Sequence, residues 1–481
     1  MTPRNYVVAA VVCAVAALPL LRAATPTEEH IARVENGLQK PNRLKGSPAE
    51  PMKLAARMEH YKVPGVSVAV IHAGRVEWAR GYGQRDVESD APVTVETLFQ
   101  AASLSKGVAA TVAMRLVEQG KLSLDEDVNA KLRSWNVPDN EFTQTEKVTL
   151  RRLLSHNAGL TVHGFPGYAQ GAAVPALVQL LDGKPPANTA AVRVTTAPGS
   201  GFSYSGGGYE VMQLLLEDVT GRRFEDLARE LILDPLGMKL SAYEQPLGEE
   251  RARNAASAYR GDGKAIAGRW HTYPEKTAAG LWTTPSELAR WVMEIQKPGK
   301  VLKAETVKTM LTKGPGDYGL GIGLGETAGR ASFSHGGGNE GYRCQYFAYG
   351  DAGEGAIVMT NGDNGSDLAN EILRAIAVEY GWVDYLPKER TVVPVDAAVL
   401  ASYVGDYAFP GGPVVRIRSR SWILRRRFDL PGFRLIFTLR RWLRRSRAET
   451  PSVPPRSGRR GYGQARPTLC RIGLATNPDG F

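Results

Sequence analysis

Four residues, Ser103-Leu104-Ser105-Lys106, constrain this 481-residue chain more than any others. They stand where an unpatterned stretch, residues 97–102, gives way to Val108, Ala109, Val112, Ala113, Leu116 and Val117. That three-and-four spacing, ending at Gly120, predicts a helix buried along one face, with the four residues at its N-terminus. Residues three apart share a helix face, so the Lys106 amine can reach the Ser103 hydroxyl. The unpaired N–H groups of a first turn favour negative charge, which suits an alkoxide or an oxyanion. An unaided serine needs such help, because its hydroxyl is a poor nucleophile near neutral pH. Taken alone, the same spacing also suits a helix cap followed by a surface lysine.

Two later segments favour chemistry over capping. Phe202-Ser203-Tyr204-Ser205-Gly206-Gly207-Gly208 offers a phenol in a loop of small residues. Phe333-Ser334-His335-Gly336-Gly337-Gly338 sets a histidine before three glycines, which allow close backbone approach and expose N–H groups. Serine, amine, phenol, histidine and an N–H-rich strand together make an acyl-transfer set.

In this order and at these separations the motifs resemble the serine beta-lactamase and penicillin-binding-protein superfamily, above all its class C-like branch of esterases, D-amino-acid peptidases and carboxypeptidases. The stretches Val63–Val70, Leu153–Leu160 and Gly280–Ser286 resemble the same branch, and the likeness runs from about Arg33 to Trp382. It implies an α+β, beta-lactamase-like fold: an antiparallel sheet flanked by helices, with a mostly helical second lobe. It also implies a serine hydrolase acting through an acyl-enzyme on a small ester, amide or peptide. Ser103 would be the nucleophile, with Lys106 or Tyr204 taking its proton. The Ser103 and Gly338 N–H groups would form the oxyanion hole, and Gly206, Gly336 and Gly337 would line the substrate. His335 would orient the substrate or pass protons to the leaving group, and no cofactor would be needed. Two departures narrow the substrate. Gly206 stands where the lactamase pattern has an asparagine that donates to the substrate amide. His335 stands where most lactamases have lysine, and a histidine is only partly charged near neutral pH. Both argue against efficient beta-lactam turnover. Rival readings are a D-stereospecific carboxypeptidase or aminopeptidase on cell-wall peptides, and a catalytically silent binding protein with the same fold.

Other nucleophile and metal patterns are missing. There is no Gly-x-Ser-x-Gly elbow, and the seven histidines form neither a His-Glu-x-x-His nor a Cys/His cluster, so no metal is expected. His156 reads as a structural histidine that hydrogen-bonds a loop, with a catalytic base as the alternative. Tyr209 reads as packing, and Tyr318–Gly325 as a strand leading toward His335.

The net charge of +11 hides a division. Residues 416–481 hold 17 arginines, no lysine and three acids, a net of +14 that leaves −3 for everything before them. The body is nearly neutral, and no nucleic-acid partner is expected for it. The organisation predicted is a secretory signal over 1–24, a hydrolase domain over 25–385, a linker and the start of a small β domain over 386–415, and an arginine-rich tail over 416–481. The signal reading rests on Arg4, the apolar run Tyr6–Leu21 and the small residues Ala23 and Ala24, and it implies a periplasmic or secreted protein. In the tail, arginines are taken to interrupt strand alternation. It is read as a disrupted C-terminus, with membrane or nucleic-acid contact as the alternative.

Overall fold

In the computed structural model, residues 25–351, 353–408, 414–420, 423–428 and 436–438 are described. The predicted signal segment and the end of the tail lie outside them. The chain divides into one unit of residues 1–43 with 47–388, and a second of 44–46 with 389–481.

The first unit is built on a seven-stranded antiparallel sheet. Its strands are β1 (Gly65–His72), β2 (Arg75–Asp86), β3 (Ala91–Pro92), β4 (Gly323–Thr327), β5 (Arg330–Asn339), β6 (Tyr342–Tyr349) and β7 (Gly355–Thr360), in the order β3-β2-β1-β7-β6-β5-β4. The helices that matter are α1 (Pro26–Asn36), α2 (Leu54–Tyr61), α3 (Ser105–Glu118), α4 (Leu150–Leu154), α5 (Gly206–Thr220), α6 (Lys276–Ala279), α7 (Pro285–Gln296) and α8 (Gly365–Glu379). The architecture is α+β with a beta-lactamase-like fold, as the resemblance implies.

Strand β1 reads as an unbroken apolar run because both of its faces are covered. Val66, Val68 and Val70 point into a core shared with Ile31, Met58, Leu368 and Ile372 of α1, α2 and α8. Ile71, after a bulge at Val70/Ile71, joins the larger core with Val108 and Val112 of α3 and Trp291 of α7. The sheet closes where β1 meets β7, pairing Ile71 with Gly355 and Val66 with Thr360. The helical residues between, from α4 through α5, form the predicted helical region.

The second unit carries strands in part of the segment read as a tail. Strands β8 (Gly405–Ala408), β9 (Val414–Arg420), β10 (Ile423–Phe428) and β11 (Ile436–Thr438) pair as an antiparallel sheet in that order. Strand pairing therefore runs past residue 416 to Thr438, into the segment read as a disrupted tail. The run Arg425-Arg426-Arg427, taken to interrupt alternation, lies inside β10. Arg416, Arg418 and Arg420 fall at every second position, with Val415 and Ile417 between them, which is the strand period. Residues 439–481 lie outside the described set.

Candidate active site

The Ser-x-x-Lys tetrapeptide folds as a 3₁₀ turn, Ala102–Leu104, that runs directly into α3 at Ser105. The backbone turns into it through Ala102, whose φ of 49° is left-handed, a conformation that costs a non-glycine residue about 1–2 kcal/mol. Ser103 is half-buried while Lys106 is 2% exposed, so the amine lies beneath the hydroxyl. Its Nζ donates to Ser103 Oγ at 3.1 Å and to the Ala278 carbonyl of α6 at 2.8 Å. A buried amine with these two acceptors has little freedom to turn away from the serine.

Tyr204 completes the cluster from the other side. Ser205 caps α5 by accepting from Gly208 N at 2.9 Å, which sets Tyr204 just before the helix. Lys106 Nζ lies 5.0 Å from the centroid of the Tyr204 ring and 5.6 Å from that of Tyr209. His156 orders this loop, as the structural reading has it. Its carbonyl accepts from Ser203 N at 2.7 Å, and its Nδ1 accepts from Ser205 N at 3.1 Å. Its ring centroid is 4.1 Å from that of Tyr204.

The glycines of β5 supply the third wall. β5 pairs with β4 only from Arg330 to Ser334, but with β6 as far as Asn339. From His335 onward, that edge carries no paired strand among the described residues, leaving Gly336–Gly338 open on one side. A side chain at Gly337 would put its Cβ 2.6 Å from Ala101 O and 3.1 Å from Ser103 N. Only glycine lets β5 come this close to the serine turn. Asn339 fixes the end of the strand, donating to Gln100 Oε1 at 2.7 Å and to Ala279 O at 3.1 Å.

His335 is held through both ring nitrogens. Nδ1 lies 2.6 Å from the Gly336 carbonyl and Nε2 lies 2.9 Å from the Tyr318 hydroxyl. The carbonyl can only accept, so Nδ1 carries the hydrogen and the Tyr318 hydroxyl donates to Nε2. Burial of most of the ring, together with the nearby Lys106 charge, pushes the histidine down to about 4, against a smaller opposing effect of the Gly336 carbonyl. Burial and Lys106 push His156 well down too. Both rings are neutral near pH 7, so His335 offers no fixed charge to a substrate carboxylate.

This neutrality has a measurable cost in acid. In an unfolded chain the two histidines take up protons near pH 6.5, whereas in the fold they resist until lower pH. The unfolded state binds more protons between about pH 6.5 and 4, so stability falls as pH drops through that window. The thermal midpoint should be lower at pH 4.5 than at pH 7, and His335→Gln should flatten part of the slope. Equal midpoints at the two pH values would contradict the neutral assignment.

Several residues near the site were not legible in the sequence. Tyr318 is outside the sheet's strands: of the predicted Tyr318–Gly325 strand only Gly323–Gly325 falls in β4, and Tyr318, extended and bridged to Gly323, sits in the preceding loop against His335. Tyr209 is more than packing, since its hydroxyl donates to Leu154 O at 3.0 Å. Phe165 explains Gly206. A Cβ at residue 206 would lie 2.8 Å from Phe165 Cε2 and 3.1 Å from His163 O, so an aromatic ring crowds the space a side chain there would need. Nothing in the spacing of Phe165 announces this. The site contains no cluster of metal-ligating side chains among the described residues.

Comparison with known proteins agrees with this geometry. The family model Beta-lactamase matches residues 53–379. A D-aminopeptidase of Brucella canis is 27% identical over 332 residues, covering 66% of this chain and 60% of its own length. A D-aminopeptidase of Brucella anthropi is 25% identical over 362 residues, covering 72% and 65%. The chain thus spans less than two thirds of these relatives. Among solved structures, the D-amino acid amidase of Ochrobactrum anthropi SV3 matches with a TM-score of 0.58 at 21% identity, over 68% of this chain and 96% of that one. The octameric penicillin-binding protein homologue of Pyrococcus abyssi matches with a TM-score of 0.56 at 22% identity, over 80% and 88%. These structures share the fold, and the match of the family model over most of the sheet and all three motifs makes the chain a member of the beta-lactamase family.

Proposed function

We propose that this protein is a serine hydrolase that cleaves uncharged esters and amides through an acyl-enzyme on Ser103. The observation that carries the reading is the buried Lys106 amine 3.1 Å from the Ser103 hydroxyl. Ser103 Oγ attacks the carbonyl as its proton passes to the Lys106–Tyr204 pair, which must enter the step one proton short, either as a neutral lysine amine or as a tyrosinate beside the ammonium. The negative charge on the carbonyl oxygen is met by the N–H groups of Ser103 and Gly338. The leaving group then departs with a proton from the same pair, and water attacks the acyl-enzyme by the reverse route. Neutral His335, tied to Tyr318, holds the β5 edge in place and lines the substrate with Gly336 and Gly337.

The substrate class follows from what the site lacks. Gly206 gives no side-chain donor to the amide of a beta-lactam, and the uncharged His335 gives no fixed charge to its carboxylate. D-Amino-acid amides and short peptides are the second reading, favoured by the Brucella relatives named D-aminopeptidase. The apolar run and small-residue exit of residues 1–24 support export to the periplasm or beyond. An N-terminus of the mature protein just after Ala24 would test that.

A fluorophosphonate probe followed by peptide mapping should label Ser103. Lack of labelling there would favour a silent scaffold. On a panel of short-chain esters, D-amino-acid amides and a chromogenic cephalosporin, kcat/KM should be lowest for the cephalosporin. A cephalosporin turned over faster than the esters and amides would overturn this specificity. Gly206→Asn alone should not restore lactam turnover, because the new side chain meets the Phe165 ring.

A further inference from the structure

We propose that Glu210 is a positioning residue for the Ser103–Lys106 pair, acting through the backbone of Ala278. The inference rests on the assignment of those two residues above. Glu210 lies on the second turn of α5 and is wholly buried. Its Oε1 accepts from Thr277 Oγ1 at 2.9 Å and from Ala278 N at 3.0 Å. Ala278 is therefore gripped on both sides: its N–H donates to Glu210, and its carbonyl accepts from Lys106 Nζ at 2.8 Å. α6 has only four residues, too few to hold its own orientation, so the carboxyl from α5 stands in for the support a longer helix would provide.

The carboxyl is kept in an unusual setting for so modest a contact. Glu210 Oε2 and both carboxyl oxygens of nearby Glu275 are buried without a hydrogen bond from another residue among those described. Burying a carboxyl with unsatisfied oxygens is costly, and a packing role alone would be served better by leucine or methionine. Burial pushes Glu210 up to about 8, so it is uncharged near neutral pH and glutamine is its close mimic. What the position supplies is an acceptor at a fixed height under α6.

The test uses the full chain with Glu210→Leu, Glu210→Gln and Glu210→Asp, measuring kcat and KM on a short ester and the rate of fluorophosphonate labelling at Ser103. Leucine keeps the bulk but loses the acceptor, and should lower kcat about tenfold or more, with KM within about threefold and labelling slowed in step. Glutamine should return kcat to within about threefold of the native value. Aspartate, which keeps the acid but withdraws it by one methylene, should lower kcat about fivefold even if the leucine variant does not fold. Native kcat in the leucine or aspartate variant, or glutamine as slow as leucine, would overturn the proposal. A native protein that is not labelled at Ser103 would instead overturn the assignment on which it rests.

Discussion

Ser103→Ala is expected to abolish ester and amide hydrolysis, with a fall in kcat of at least about a thousandfold, while the protein stays folded. Removing a nucleophile from a unit that acts as one typically costs as much as removing the whole unit. The structural loss is small by comparison. Ser103 is half-buried, and its hydroxyl gives up a single hydrogen bond from Lys106, which keeps its second acceptor at Ala278. That amounts to about 1 kcal/mol of stability, or a few degrees in the thermal midpoint. The decisive measurement pairs kcat with the midpoint on one preparation. Turnover above a trace in a folded variant would mean that another group is the nucleophile.

Lys106→Met and Tyr204→Phe should each cut kcat/KM by about a hundredfold or more, the usual range for a positioned acid or base. Methionine is the better probe at position 106, because the side chain is buried and alanine would leave a cavity among the aromatic rings around it. The double variant should lose little beyond the worse single one. The amine sits over the Tyr204 ring at 5.0 Å and bonds the serine directly, which is the geometry expected if the two groups serve one proton transfer. Additive barriers in a double-mutant cycle would assign them to separate steps. The same cycle, run with Tyr318→Phe, reads whether the hydroxyl that holds His335 acts on the chemistry or only on the strand.

The residues that do local work were readable, and those that act by packing were not. Ser103 and Lys106 declare themselves because helix periodicity fixes what lies on one face, and the strands β1, β6 and β7 because apolar runs fix what lies inside. Tyr204 and His335 sit in glycine-rich segments whose composition already signals close approach. Phe165, Tyr318 and Glu210 reach the site from segments distant in sequence, and their meaning depends on which ring or helix they meet. No spacing rule encodes that. The acid at position 210 even argues for an exposed face until α6 is seen to cover it. The second unit differs for another reason: the consecutive Arg425, Arg426 and Arg427 break the side-chain alternation but not the backbone pairing of β10 with β9.

The join between β1 and β7 bears on how the molecule comes into being. Ile71 meets Gly355 there, and Val66 meets Thr360, so the centre of the sheet is sewn from the two ends of the unit. A ribosome that has released the serine turn, α3 and all of α5 has still not released β7. Until it does, β1 is paired along one edge only, with β2, and lacks α8 over one face, and the large loop between must be closed before the contact with β7 yields anything. Such topologies fold late and slowly, with strand edges open to other chains in the meantime. The serine turn is thus synthesised early and completed late, when the glycines of β5 are drawn up against it.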